Sequence, residues 1–259
     1  MKSVIRISNL KMRYKSDGDY VLKGVNLDIH AGQIIGYIGP NGAGKSTTVK
    51  IMLGMIDQYE GVVEIFGENI KNNPIEYKRK IGYVPEVATI YDSLSGYEYL
   101  RFIGELYKMD SAVVDDKADR LFTLFGINEA FYNRISSYSK GMKQKLMIIS
   151  SLIHNPEILF LDEPISGLDA NSVMVFKEII KKLAEQGKTV FYSSHIMEVV
   201  EKISDRIIVL NDGIIVADGN FEELKTASKE GSLQEIFNQL TGFNKHEAIA
   251  SEFVDVIVR

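Results

Sequence analysis

Hydrophobic and polar residues alternate in short runs over the opening part of the chain. Residues 4–10 and 21–29 have the two-residue period of half-buried strands. Residues 33–38 are almost wholly apolar, which is typical of a strand buried on both faces, and a glycine-rich segment follows at once. The pattern predicts an antiparallel layer, then a buried strand, then a helix that begins near Ser46.

The hydrophobic period becomes helical between about residues 90 and 155. Ser95 and Glu98 fit a capping box, in which each side chain satisfies a backbone N–H of the other residue, so a helix is predicted to begin at Ser95. Apolar residues then recur every three or four positions, at Leu100, Ile103, Tyr107, Val114, Ala118, Leu121, Phe122, Phe125, Leu146, Ile149 and Ile153. This region is predicted to be an inserted helical layer.

Strand and helix patterns alternate after residue 155, which indicates a largely parallel sheet. The predicted elements are a strand at 158–161, a helix at about 170–186 closed by Gly187, a strand at 189–193, a helix to about 204 and a strand at 206–210. Asp212-Gly213 predicts a hairpin, and Ser232 with Glu235 predicts another capped helix. The stretch from Thr241 has no clear pattern. We expect one α/β domain with a mostly parallel core, an antiparallel β layer and a helical insertion.

Composition excludes several classes of function. The 259 residues include 30 Lys+Arg and 35 Asp+Glu, so a net charge of -5 gives no basic surplus, and nucleic acid is not an expected partner. No apolar run reaches 18 residues, and the first residues lack the long apolar stretch of a secretory signal. The chain is therefore expected neither to span a membrane nor to be secreted itself. With 0 Cys, disulfides, thiolate metal sites and cysteine nucleophiles are excluded.

Residues 39–46 match G-x-x-x-x-G-K-[ST] between a predicted strand and a predicted helix. The glycines let backbone N–H groups turn inward, and the helix adds the positive end of its dipole, which together form a phosphate site. Lys45 is suited to the β- and γ-phosphates and the Ser46 hydroxyl to Mg²⁺. The alternative is a glycine-rich turn with an accidental Lys-Ser. The candidate nucleotide-binding residues are Gly39, Asn41, Gly42, Gly44, Lys45, Ser46 and Thr47.

Two adjacent carboxylates, Asp162 and Glu163, follow the predicted strand at 158–161. The carboxyl end of a parallel strand is where open α/β sheets bind ligands. Asp162 is suited to hold Mg²⁺ through a water molecule, and Glu163 to orient and deprotonate an attacking water. The alternative is a solvated turn at the end of a strand.

Several further motifs resemble those of ABC transporter ATPases, in the order of that family. Residues 138–142, Tyr-Ser-Lys-Gly-Met, resemble the signature motif L-S-G-G-Q in its exporter variant, 166–169 resemble the D-loop, and 193–195 contain the switch histidine, His195. The resemblance spans about residues 4–220. It implies an ABC ATPase domain at 1–240 with its helical subdomain inserted at about 90–155, and a C-terminal extension at 241–259.

The resemblance also implies roles for single residues, with ATP and Mg²⁺ as cofactors. Ser139 and Gly141 would touch the γ-phosphate of ATP bound to a second ATPase subunit, because in this family two subunits pack head to tail. His195 would hydrogen-bond the γ-phosphate. Tyr14 would stack on adenine, with Tyr20 as its competitor because residues 15–19 form a short insertion.

One residue departs from the family pattern, and a group of lysines raises a further expectation. Glu86 stands where the family usually has glutamine, and it joins Ser46 and Asp162 as an expected metal ligand. Its added negative charge predicts a tighter dependence on Mg²⁺. Lys140 lies in the signature motif near Lys143 and Lys145, and we expect it to approach the triphosphate held by the second subunit. The alternative is that these lysines form a solvated basic face.

The expected function is that of the ATP-hydrolysing subunit of an ABC transporter. It would work with a separate membrane permease and a second ATPase subunit, identical or closely related, at the cytoplasmic face of the cell membrane. Residues 232–242 resemble the C-terminal helix of ATPases that serve drug, antibiotic and polysaccharide export, which favours export. The alternatives are a soluble ABC ATPase outside transport, a P-loop kinase, and a nucleotide-binding module that does not hydrolyse.

Overall fold

The computed structural model describes residues 2–87, 89–242 and 246–258, without the side chains of 246–249. The strands are β1 (Ser3–Met12), β2 (Leu22–His30), β3 (Ile34–Ile38), β4 (Glu60–Ile65), β5 (Glu68–Asn69), β6 (Ile81–Val84), β7 (Ile158–Asp162), β8 (Thr189–Ser193), β9 (Arg206–Asn211) and β10 (Ile214–Gly219). The helices are α1 (Lys45–Met52), α2 (Gly96–Leu106), α3 (Ser111–Leu124), α4 (Lys140–Leu152), α5 (Ala170–Glu185), α6 (Met197–Ile203), α7 (Phe221–Ser228), α8 (Leu233–Thr241) and α9 (His246–Val258). Short 3₁₀ helices lie at Tyr77–Lys80, Asn128–Ala130 and Ile135–Ser137.

Two sheets form the centre of the molecule. The antiparallel sheet has the strand order β2-β1-β4-β5, and the larger sheet has the order β10-β9-β3-β8-β7-β6. In the larger sheet the five strands from β9 to β6 are parallel, and only β10, at the edge, is antiparallel. The predicted α/β class with a mostly parallel core and an antiparallel layer is confirmed.

The side chains of β3 enter two different cores, because successive residues of a strand point to opposite faces. Ile35 and Tyr37 pack toward the antiparallel sheet and α1. Ile34 and Ile38 pack toward the layer that contains α5 and α6. All five residues of β3 are buried, as expected of a strand that is covered on both faces.

The helical layer begins where the sequence predicts. The Ser95 hydroxyl accepts from the backbone N–H of Glu98 at 3.2 Å, and the Glu98 carboxylate accepts from the N–H of Ser95 at 2.7 Å, so the predicted capping box is present. The helices α2, α3 and α4 share a hydrophobic core with one face of the large sheet. They contribute Leu100, Phe122 and Leu146 to it. The layer is therefore joined to the sheet domain by a continuous hydrophobic core.

Some elements differ from the prediction or were not predicted. β4, β5, β6 and α7 carried no prediction, although Asn220 and Glu223 form a capping box at the start of α7. The patternless stretch after Thr241 contains α9, and residues 243–245 and 259 lie outside the described residues. Within the described ranges, no helix combines the length and the hydropathy needed to cross a bilayer.

Candidate functional site

The segment between β3 and α1 forms a tight loop whose backbone needs glycine at several points. Gly42 and Gly44 have φ angles of 81° and 105°, in the left-handed region that side chains disfavour. A Cβ at Gly39 would overlap the carbonyl oxygen of Leu210 in β9, so this position accepts no side chain. The loop is therefore held against the sheet and leads directly into the N-terminus of α1.

Lys45 begins α1 and lies in the loop. Its ammonium group donates to the carbonyl oxygens of Gly39 and Pro40 at 2.5 and 3.1 Å. Burial lowers the pKa of Lys45, and three nearby carboxylates act in the opposite direction. The first turn of α1 has no acidic residue, so nothing on the helix competes with a bound anion.

The two predicted carboxylates lie at the end of β7, facing the loop. Asp162 pairs with Ser193 of β8, and burial is the main cause that raises the pKa of Asp162. Glu163 follows the strand with a φ angle of 48°, which is uncommon for a residue with a side chain. Burial also raises the pKa of Glu163, whose side chain is only 14% exposed.

The loop after β8 holds the Glu163 carboxylate. The backbone N–H of His195 donates to Oε1 at 2.7 Å, and the Ser194 hydroxyl donates to Oε2 at 3.0 Å. Nε2 of His195 is 3.6 Å from Oε1, and its side chain is 57% exposed. Ser194 is a site residue without a predicted role, because only the fold brings it to Glu163.

Most of the predicted site residues line one cavity of about 410 Å³. Glu86 lies in it with Asp162, so the Ser46 hydroxyl and two carboxylates offer the hard oxygen ligands that Mg²⁺ prefers. An apolar cavity of about 580 Å³ between α3 and α5 is larger but offers little that would bind phosphate. The predicted residues in the polar cavity are Tyr14, Asn41, Gly42, Gly44, Lys45, Ser46, Thr47, Glu86, Asp162, Glu163 and His195.

Of the two tyrosines that compete for adenine, only Tyr14 reaches the loop. Its hydroxyl is 3.1 Å from Oγ1 of Thr47, and its side chain lines the polar cavity. Tyr20 donates to Glu60 at 2.6 Å and has the Arg13 guanidinium over its ring at 5.0 Å. These contacts hold Tyr20 outside that cavity.

Two predicted residues, Ser139 and Gly141, lie at the start of α4 and do not line this cavity. The Ser139 hydroxyl accepts from the N–H of Met142 at 3.2 Å and caps the helix. Gly141 packs against the backbone of Gly167. The remaining predicted residue, Gly39, is buried beneath the loop.

Comparison with known proteins agrees with this geometry. The ABC transporter family model matches residues 22–166. The chain belongs to the ABC transporter family. An uncharacterized ABC transporter ATP-binding protein of Methanocaldococcus jannaschii is 38% identical over 86% of this chain and 80% of its own length. The ABC transporter ATP-binding protein NatA of Bacillus subtilis is 32% identical over 90% of this chain and 96% of its own length.

Other matches support the same assignment. The bacitracin transport ATP-binding protein BcrA of Enterococcus faecalis is 35% identical over 89% of this chain and 73% of its own. A solved structure of an ATP-binding subunit of an ABC transporter superposes with a TM-score of 0.86 at 28% identity, over 92% of this chain and 99% of the other. The chain is thus an ATP-binding subunit of an ABC transporter, and these relatives give no support to a role outside transport.

Proposed function

We propose that this ABC transporter subunit hydrolyses ATP, with Glu163 as the general base. The observation that carries the proposal is the Glu163 carboxylate, which is buried beside the phosphate loop and held by Ser194 and His195. A pKa raised by burial makes this carboxylate a stronger base than an ordinary glutamate. The site is therefore suited to remove a proton from water next to a bound phosphate.

The hydrolysis step uses residues from the ends of four strands, β3, β6, β7 and β8. Lys45 and the loop N–H groups bind the phosphates, while Ser46, Asp162 and Glu86 would hold Mg²⁺, which neutralises phosphate charge when it is bound. Water forms a bond to the γ-phosphorus and gives its proton to Glu163. The bond from that phosphorus to the bridging oxygen of ADP breaks. His195 is placed to hydrogen-bond the γ-phosphate during this exchange.

Replacement of the base tests the proposal. Glu163→Gln keeps the side-chain shape but cannot accept the proton, so we expect kcat to fall by about a hundredfold or more with ATP binding retained. Glu178→Gln, on the exposed face of α5, serves as a control and should change neither. Slow ATP turnover that Glu163→Gln fails to reduce would instead support a nucleotide-binding module that does not hydrolyse.

We also propose that two ATPase subunits are needed for each complete site. Ser139 and Gly141 lie outside the cavity of their own chain, which agrees with a role at the ATP of a second subunit. The second subunit is another copy of this chain or a close relative. ATP would close the pair, and hydrolysis would reopen it.

The partner in transport is, in this proposal, a separate membrane permease at the cytoplasmic face of the cell membrane. The proposed contact surface combines the Glu86 to Tyr91 segment, in which Ala88 lies outside the described residues, with a cavity of about 300 Å³ between β6 and α2. Val87 in that segment is 72% exposed, Met55 at the cavity is 59% exposed, and both offer apolar contact. Val87→Asp should reduce co-purification with a membrane protein, whereas Ile214→Asp, exposed on the distant β10, should not.

Export is the proposed direction of transport. Relatives of this chain include a fluoroquinolones export ATP-binding protein and a linearmycin resistance ATP-binding protein. Uptake and efflux of candidate compounds in cells with and without the gene would test the direction. Accumulation that falls when the gene is removed would contradict export.

A further inference from the structure

The start of α4 packs closely against the loop at residues 164–169 of the same chain. A Cβ at Gly141 would lie 2.7 Å from the carbonyl oxygen of Gly167, so the two backbones touch without side chains between them. Nε2 of the buried Gln144 donates to the carbonyl oxygen of Pro164 at 2.8 Å. The loop therefore follows any displacement of α4.

Two lysines of α4 bind the same loop. Nζ of Lys140 donates to the Ser166 hydroxyl at 3.3 Å, and the carbon chain of Lys140 covers Gly167. Nζ of Lys145 is 3.3 Å from Oδ2 of Asp169, and the Lys145 side chain is only 14% exposed. Cations in the first turns of a helix are unfavourable because of the helix dipole, and these oxygen partners offset that cost.

The bound loop is directly continuous with Glu163. The N–H of Ser166 donates to the backbone carbonyl of Glu163 at 3.1 Å, and Asp169 caps α5 through the N–H of Ser172 at 2.9 Å. Glu163 has a φ angle of 48°, which the surrounding contacts must hold in place. A shift of the loop would therefore rotate the peptide that carries the general base.

We propose that Lys140 and Lys145 are positioning residues for Glu163 of their own chain, acting through the loop at 164–169. This inference rests on the proposed function, because it concerns the base in ATP hydrolysis. Ser139 and Gly141 are the neighbours of Lys140 at the start of α4. In the proposed pair they face the ATP of the second subunit. The two lysines thus link the arrival of that ATP to the placement of the base in this chain.

A double-mutant cycle on the exposed contact tests the proposal. Lys140→Gln and Ser166→Ala each remove one end of the hydrogen bond. We expect each to lower kcat by about threefold to tenfold with KM for ATP unchanged, and the double variant to be no slower than either single one. Lys140→Arg should restore most of the rate.

Lys143→Gln is the matched control on the same helix. Lys143 pairs with Asp92 at 2.8 Å and does not touch the loop, so kcat should stay at the wild-type value. Lys145→Gln and Lys145→Arg test the contact with Asp169 at a temperature well below the melting point of both variants. We expect a loss of kcat in the first variant and recovery in the second.

Three outcomes would overturn the inference. Rate losses of Lys140→Gln and Ser166→Ala that multiply, or a rise in KM alone, would place Lys140 at the triphosphate of the second subunit instead. An unchanged kcat in Lys140→Gln would show a solvated side chain. If one of these outcomes occurs while Glu163→Gln still causes a large rate loss, only the positioning role of the lysines fails and the proposed function stands. If Glu163→Gln causes no rate loss, the proposed function and the positioning role both fail.

Discussion

Glu163 is costly to the folded state for two reasons. Its φ angle of 48° is disfavoured, and burial raises the pKa of its carboxylate. An acid with a raised pKa binds its proton more tightly in the folded chain than in the unfolded one. The contribution of Glu163 to the free energy of unfolding is therefore greatest below the unfolded pKa and is lost as pH rises through the folded pKa.

Glu163→Gln should accordingly stabilise the protein at neutral and alkaline pH. We expect the variant without nucleotide to melt at a higher temperature than the wild type at about pH 8. Each kcal/mol gained in the free energy of unfolding should raise the melting temperature by about 2 to 4 °C. The difference should shrink as pH falls through the raised pKa of Glu163, because the wild-type carboxylate becomes protonated. Equal melting temperatures at about pH 8 would contradict the burial argument.

Tyr14 and Tyr20 can be distinguished by nucleotide binding. Tyr14 reaches the loop through Thr47, whereas Tyr20 is held by Glu60. We expect Tyr14→Ala to weaken ATP binding by about tenfold through lost stacking, and Tyr14→Phe to keep most of it. Tyr20→Ala is the control. A stronger effect in Tyr20→Ala would reassign the adenine contact.

Glu86 adds a third carboxylate to the cavity that contains Asp162 and Glu163. This charge should attract Mg²⁺ and repel ATP when the metal is absent. We expect Glu86→Gln to raise the midpoint of the Mg²⁺ titration and to improve ATP binding in a chelator. Identical midpoints and identical binding in both proteins would refute the expectation.

At the scale of elements, periodic segments were predictable and short exposed ones were not. β8 has the predicted bounds, and α5 ends within two residues of its predicted end. β4 is exposed over its first three residues and carries no clear alternation, so its sequence gives little signal. The phosphate loop is contiguous and could be recognised, but the contacts of Glu163 with Ser194 and of Lys145 with Asp169 depend on the fold.

α8 is attached to the core of the molecule. We propose residues 1–240 as the ATPase domain and 241–259 as an extension. α8 buries Leu233 and Ile236, and the Glu201 carboxylate of α6 accepts from the N–H of Leu233 at 3.0 Å. α8 therefore braces the helix that follows His195.

Leu233→Ala tests this attachment. Removing a fully buried leucine side chain should lower the free energy of unfolding by about 2 to 5 kcal/mol, as measured by denaturant unfolding. Gln234→Ala, exposed on the same turn, should cost little. A similar small cost in both variants would mean that α8 is not part of the core.

At the scale of the whole molecule, the proposed pair of subunits should form only with nucleotide. Glu163→Gln with ATP and Mg²⁺ is expected to elute from a sizing column as a dimer, since binding is retained and hydrolysis is blocked. The same variant with ADP should elute as a monomer. If the pair must be a heterodimer, the variant will stay monomeric on its own with ATP and will dimerise only when a related subunit is added.

The position of β3 also has a consequence for synthesis. This strand pairs only with β8 and β9, whose residues follow it in the chain by more than a hundred positions. A chain still on the ribosome therefore has β3 without a strand partner in the large sheet until β8 ends at residue 193, and without its second partner until β9 ends at residue 211. Until then, cover for the apolar β3 must come from a chaperone or from the antiparallel sheet and α1, which are complete by residue 69 and share a core with Ile35 and Tyr37.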